Sequence, residues 1–257
     1  MNTDIIATTI KSFFFEVQDY FSLAWRALVR IFQPPFYYRE FVNQLDKIGV
    51  GSLFIIVLTG LFTGMVMALQ ALIQLKPFAA TSYVGGMVAV SMIKELGPVL
   101  SALMVAGRVG SAITAELGTM MVTEQVDAMT VEGTDIVKRL ITPRLKATIV
   151  AMPLLAIVTD TVAMLGGFLI SAGYHVNATM YWSSFGQFLF FQDFLEGVTK
   201  PVVFGFIIAM TGCYVGLNTS GGAEGVGASA KRAVVLSSVL ILATDFFLTN
   251  LFVVFRQ

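Results

Sequence analysis

The sequence predicts an all-α integral membrane protein, with an N-terminal interfacial amphipathic helix followed by five transmembrane helices. Three observations carry that reading. Of the 257 residues, 56% are hydrophobic, and the mean hydropathy is +0.82. Only 12% are charged, against about 25% in a soluble domain. Several apolar runs reach the ~20 residues that a hydrocarbon core requires, and charged or aromatic stretches separate them. A formal net charge of zero offers no bulk field for capturing nucleic acid or an anionic substrate. Cys213 and His175 each stand alone, which argues against a disulfide framework and against a cysteine or histidine metal centre. No Walker A loop occurs, so any ATP-driven step is assigned to another chain.

Residues 5–32 place Ile5, Ile6, Ile10, Phe13, Phe14, Val17, Phe21, Trp25, Leu28 and Val29 near helical spacing. Asp4, Lys11, Glu16 and Asp19 interrupt them too often for a span or a signal peptide. The expected element lies on the membrane surface. Pro34 and Pro35 end it, because proline cannot continue a helix interior. Residues 1–47 thus form interfacial and elbow helices, and 48–257 the five-span region of a single domain.

Gly49 to Leu75 is uncharged and makes the first span, with Gly60 and Gly64 spaced for close helix packing. Ser82 to Thr114 makes the second. At about 1.5 Å per residue it is too long for one straight crossing. Its inner end should protrude or bend, with Gly85-Gly86 and Gly97-Pro98 as points of irregularity. A charged stretch, 116–146, leads to the third span, Ala147 to Gly173. Residues 174–200 read as an aromatic outer connection with a short surface helix. The fourth span is Pro201 to Leu217, with Gly212 and Gly216 as a second close-packing pair. The glycine-rich 218–232 reads as a flexible loop before the fifth span, Ala233 to Phe255. With the N-terminus inside, eleven Lys and Arg lie on the inner side, against Lys76, Lys200 and Arg256 outside. That satisfies the positive-inside rule, makes 116–146 cytoplasmic and puts the C-terminus on the far side.

Lys94 and Glu95 lie about 20 Å along the helix from Arg108, inside the membrane. Sequence neighbours do not face each other on a helix, so each needs its own partner. They either form a polar girdle around a substrate cavity or contact other helices. Asp160 and Asp245 are further acids at membrane depth. With Glu95 they could relay protons in a secondary transporter, or they could bond hydroxyls such as Thr161, Thr244 or Thr249. Val122, Val126, Met129 and Gly133 share one helical face in the cytoplasmic stretch. That pattern fits either a helix docking on a soluble partner or a solvated loop.

The run KELGPVLSALMVAGRVGSAITAELGTM followed by VTEQVDAM resembles the signature of the MlaE/YrbE permeases, membrane subunits of ABC transporters that work with MCE-domain proteins. The likeness extends to the surface helix, the five spans, the glycine-rich segment and Asp245 within SVLILATDFFLT. It implies a homodimer in a bacterial inner membrane, with its N-terminus cytoplasmic and its C-terminus periplasmic. Each copy would bind an ATPase subunit that holds ATP and Mg, so this chain needs no cofactor and performs no covalent chemistry. A periplasmic MCE ring, a hexamer in the family, and a small cytoplasmic accessory subunit are the further implied partners. The transported molecule would be a phospholipid, moved in support of outer-membrane lipid asymmetry. By the same resemblance TEQVDAM is a cytoplasmic coupling helix between the second and third spans. Glu116, Thr123, Glu124, Gln125, Asp127 and Met129 are then its ATPase contacts. Lys94 and Glu95 would line the lipid cavity, with Leu75 and Phe78 near its outer end.

Overall fold

The computed structural model describes residues 2–255, with side chains from Phe14 onward and at Lys11. Arg256, counted above as an outer cation, lies outside the described residues. So do the side chains of Ile5, Ile6, Ile10 and Phe13. The described residues are helical almost throughout, and five helical segments are long and apolar enough to cross a membrane.

The first helix, α1 (Asn2–Ile31), precedes the Pro34-Pro35 elbow. Trp25 and Phe21 are exposed while Ala24 and Ala27 are buried, the asymmetry of a helix packed on one side. The first span belongs to α2 (Tyr38–Leu75), which begins well ahead of the uncharged run. After two single 3-10 turns the second span starts as α3 (Val84–Ser91). It continues through α4 (Gly97–Val105) and α5 (Ser111–Val122). Two π-turns, Met92–Leu96 and Ala106–Gly110, join these pieces. The irregularity expected at Gly97-Pro98 therefore falls in the turn just before it. Gly85 and Gly86 sit instead in regular helix. Their missing side chains make room for a neighbouring segment: a Cβ on Gly86 would lie 2.9 Å from the Ser184 carbonyl oxygen.

A short helix, α6 (Gln125–Val131), and a π-turn at Val137–Ile141 lead into α7 (Thr142–Gly173). Two short connecting helices follow, α8 (Ala178–Ser183) and α9 (Phe185–Phe188). The fourth span, α10, runs from Phe191 to Leu217, longer than the Pro201 start expected from sequence. Its first turn is held by Asp193, whose carboxylate accepts the Phe190 amide at 2.8 Å. Residues 191–200 are thus part of a span and not of the aromatic connection. The last helix, α11 (Gly222–Phe255), absorbs most of the stretch read as a flexible loop. Only the turn through Gly221 and Gly222, both at positive φ, needs glycine's conformational freedom.

The helices approach closely where the sequence supplies small residues. Gly60 and Gly64 of α2 meet Thr159 and Ala163 of α7, so the two helices run parallel at a constant offset. Gly212 and Gly216 of α10 meet Ile113 and Leu117 of α5 in the same way. Any side chain at Gly64 would overlap the Ala163 carbonyl, which is backbone and cannot rotate away. Gly64→Ala is expected to lower stability by about 1–3 kcal/mol through overpacking. Gly49→Ala, with nothing within 4 Å of the new methyl, should change little. Thermal unfolding of both variants in one detergent reads the difference.

Candidate functional site

Where the π-turn at Met92–Leu96 meets α10 and α11 lies a network of acidic and basic side chains. Its hub is Lys200 of α10, which is completely buried. The ammonium contacts Glu95 at 2.6 Å and Asp245 at 3.1 Å. It also donates to Thr249 Oγ1 at 2.8 Å and to the Lys94 carbonyl at 2.9 Å. That carbonyl is free for a local reason. The helix donor it would normally meet is the amide of residue 98, and Pro98 has no N–H. The π-turn and proline thus expose a backbone acceptor at mid-span, and Lys200 takes it. The Thr249 hydroxyl lies 3.1 Å from Glu95 Oε1 and closes the ring. Beside the network, Lys94 pairs at 3.3 Å with the buried Asp193.

Lys94 and Glu95 therefore do reach different partners, on the same helix α10. Asp245 is ion-paired with Lys200, but its buried Oδ1 accepts no hydrogen bond among the described residues. Of the hydroxyls named as partners, Thr249 joins the network, while Thr161 donates to its own helix at Ile157. Asp160 stands elsewhere: its carboxylate lies against Gly97, and its Oδ1 is buried without a hydrogen-bond partner. Leu75 packs on the small outer cluster around Val88 and Tyr181, and Phe78 is 79% exposed. Neither belongs to the ionic network.

Sequence reasoning missed Lys200 and Asp193 because it began the span at Pro201 and counted Lys200 as an outer cation. A signal was present. Asp193, Glu196 and Lys200 recur at helical spacing, and two acids at membrane depth require a cation.

The second group of candidates lies at the elbow end of the bundle. The stretch after α5 does form a helix, α6. It is entered through Glu124 in the left-handed conformation (φ 57°), uncommon for a residue with a side chain. Val126 is buried, and Met129 packs against the main core. Thr123, Glu124, Gln125 and Asp127 are exposed. The apolar side of α6 is thus spent on its own bundle, and a short acidic rim faces outward. Glu116 is different in kind. Its carboxylate pairs with Arg144 at 2.9 Å and Lys47 at 3.5 Å, tying α5 to α7 and α2.

The model of the family described as Permease MlaE matches residues 41–251, reaching from the first span into the fifth. The chain belongs to the MlaE permease family. The permease is 43% identical over 233 residues to a protein of Rickettsia bellii named "Probable ABC transporter permease protein", covering 90% of this chain and 89% of that one. It is 38% identical over 231 residues to "Protein TRIGALACTOSYLDIACYLGLYCEROL 1, chloroplastic" of Arabidopsis thaliana, covering 90% and 66%. It is 35% identical over 210 residues to "Intermembrane phospholipid transport system permease protein MlaE" of Haemophilus influenzae, covering 81% and 80%.

Proposed function

We propose that this permease moves phospholipid between a bacterial inner membrane and a periplasmic MCE carrier, powered by a separate ABC ATPase. The family match across residues 41–251 carries the reading. The names of the Haemophilus and Arabidopsis relatives point to lipid as the cargo.

The active unit is a homodimer. The last span supports this, since α11 is far less buried against the rest of the chain than the other four spans, which leaves room for a second copy beside it. The ATPase docks on the rim formed by Thr123, Glu124, Gln125 and Asp127, with Met129 setting the angle of α6. Glu116 supports that rim from within the bundle. Lys94 and Glu95 border the lipid cavity, with Leu75 and Phe78 toward its mouth. ATP and Mg are held by the partner, and a small cytoplasmic subunit accompanies it. The N-terminus is cytoplasmic and the C-terminus periplasmic.

The proton-coupled alternative needs Glu95, Asp160 and Asp245 to act in sequence. Glu95 and Asp245 share one lysine instead, and Asp160 is bonded to neither, so the lipid reading is preferred. Gentle purification from native membrane followed by mass spectrometry tests the proposal. Co-purifying ATPase, MCE protein and stoichiometric phospholipid is the expected result. A chain that carries no ATPase and transports along a proton gradient would overturn it.

A further inference from the structure

The elbow between α1 and α2 encloses a cavity of about 350 Å³. Arg30, Lys138 and Lys146 line it together with Phe36, Tyr38 and Phe41, and no carboxylate lines it. Arg30 is neutralised from outside by an ion pair with Asp135. Lys138 donates to the Pro34 carbonyl, and Lys146 lies 4.9 Å from the centre of the Phe36 ring. Among the described residues, neither lysine has a carboxylate within ion-pair distance. The site therefore presents two uncompensated ammonium groups against aromatic faces.

Its depth is set by the sequence. Lys146 immediately precedes the apolar run of α7, and its parallel partner α2 turns apolar just after Lys47. Lys138 is eight residues earlier, about 12 Å farther from the hydrocarbon along a helix. The cavity thus spans the head-group layer, where aromatic rings are at home. Exposed Phe32, Phe36 and Tyr38 flank its opening. Its volume is at the lower end of ligand pockets, right for a head group whose acyl chains stay in the bilayer.

We infer that the elbow cavity binds the head group of an anionic phospholipid from the adjacent leaflet, separately from any lipid that is transported. Charge complementarity selects the occupant: basic pockets between spans bind acidic lipid head groups, whereas a zwitterionic head group brings its own ammonium, which offsets its phosphate's attraction to the two lysines. Bound there, the lipid joins α1, the start of α2 and the approach to α7. It would anchor the interfacial helix to the bundle.

The test places p-azidophenylalanine at position 36 of the full chain, in nanodiscs of equal phosphatidylglycerol and phosphatidylcholine. After illumination, mass spectrometry identifies what is attached. Each cation near an anionic head group contributes roughly fivefold in binding. Adducts should therefore favour phosphatidylglycerol by at least about fivefold. Lys138→Gln with Lys146→Gln should abolish the preference, and Lys138→Arg with Lys146→Arg should keep it. The arginine pair guards against a trivial folding defect. Equal adducts in the wild-type background, or a preference that survives the glutamine pair, would overturn the inference. So would adducts to a protein chain in the intact transporter, which would make the cavity a subunit contact. The readout involves no transport, so failure here leaves the proposed function standing, and the reverse also holds.

Discussion

Lys200→Met should be the most destabilising conservative change in the bundle, costing about 3 kcal/mol or more. Methionine nearly matches lysine in length, so the expected loss is electrostatic and not a cavity. Glu95 and Asp245 would remain with no cation, and the Lys94 carbonyl and Thr249 would lose their donor. Breaking a buried pair from one side leaves a desolvated charge, which is where the ~3–5 kcal/mol arises. The side chain of Glu95 keeps 38% of its exposure and that of Asp245 keeps 18%. Partial solvation therefore holds the effect toward the lower figure. Replacing the whole set is a different experiment. Lys200→Met combined with Glu95→Gln and Asp245→Asn removes the charges together and should recover much of the loss, because neutral partners need no counter-ion. Thermal unfolding of the wild type, the single variant and the triple variant in one detergent measures both steps. A single variant as stable as the wild type would mean that the network contributes nothing net to folding. A triple variant no better than the single would place the cost in packing.

That network also marks where sequence stopped being sufficient. Spans were legible because lipid demands long uncharged runs, and the glycine pairs at 60/64 and 212/216 announced close contacts that α7 and α5 then made. The need for separate partners at Lys94 and Glu95 followed from helix geometry alone. The identity of those partners did not, because it depends on how α10 sits beside α3 and α4, which no local pattern encodes. Lys200 was also masked by its neighbour. Pro201 looks like a helix start, yet proline inside a membrane helix is tolerated when neighbouring groups compensate. The glycine-rich 222–232 misled for a related reason. Glycine costs only about 1 kcal/mol per residue in a helix, and the continuing hydrophobic helix behind it outweighs that. Periodicity could not decide between helix and loop at 122–133. Tertiary packing of Val126 and Met129 settles it.

Glu124→Gln combined with Asp127→Asn should separate coupling from folding. Both residues are exposed, and neither forms an ion pair among the described residues. Their loss should leave stability within about 0.5 kcal/mol of the wild type. If the proposed docking is right, the same change removes two charges from a partner interface, and ATP-driven lipid transfer should fall about tenfold or more. Glu116→Gln provides the opposite profile. It strips the largely buried Arg144 of its carboxylate, on a side chain whose Nε already lacks a partner. Its first effect should be a lower unfolding temperature, with reduced ATPase binding following from disorder at the base of α5. Measuring unfolding, ATPase co-purification and transfer in the same preparations distinguishes a contact residue from a supporting one. Unchanged ATPase binding and transfer in the double variant would sink the assignment of α6 as the docking element. The acidic rim would then be a solvated turn.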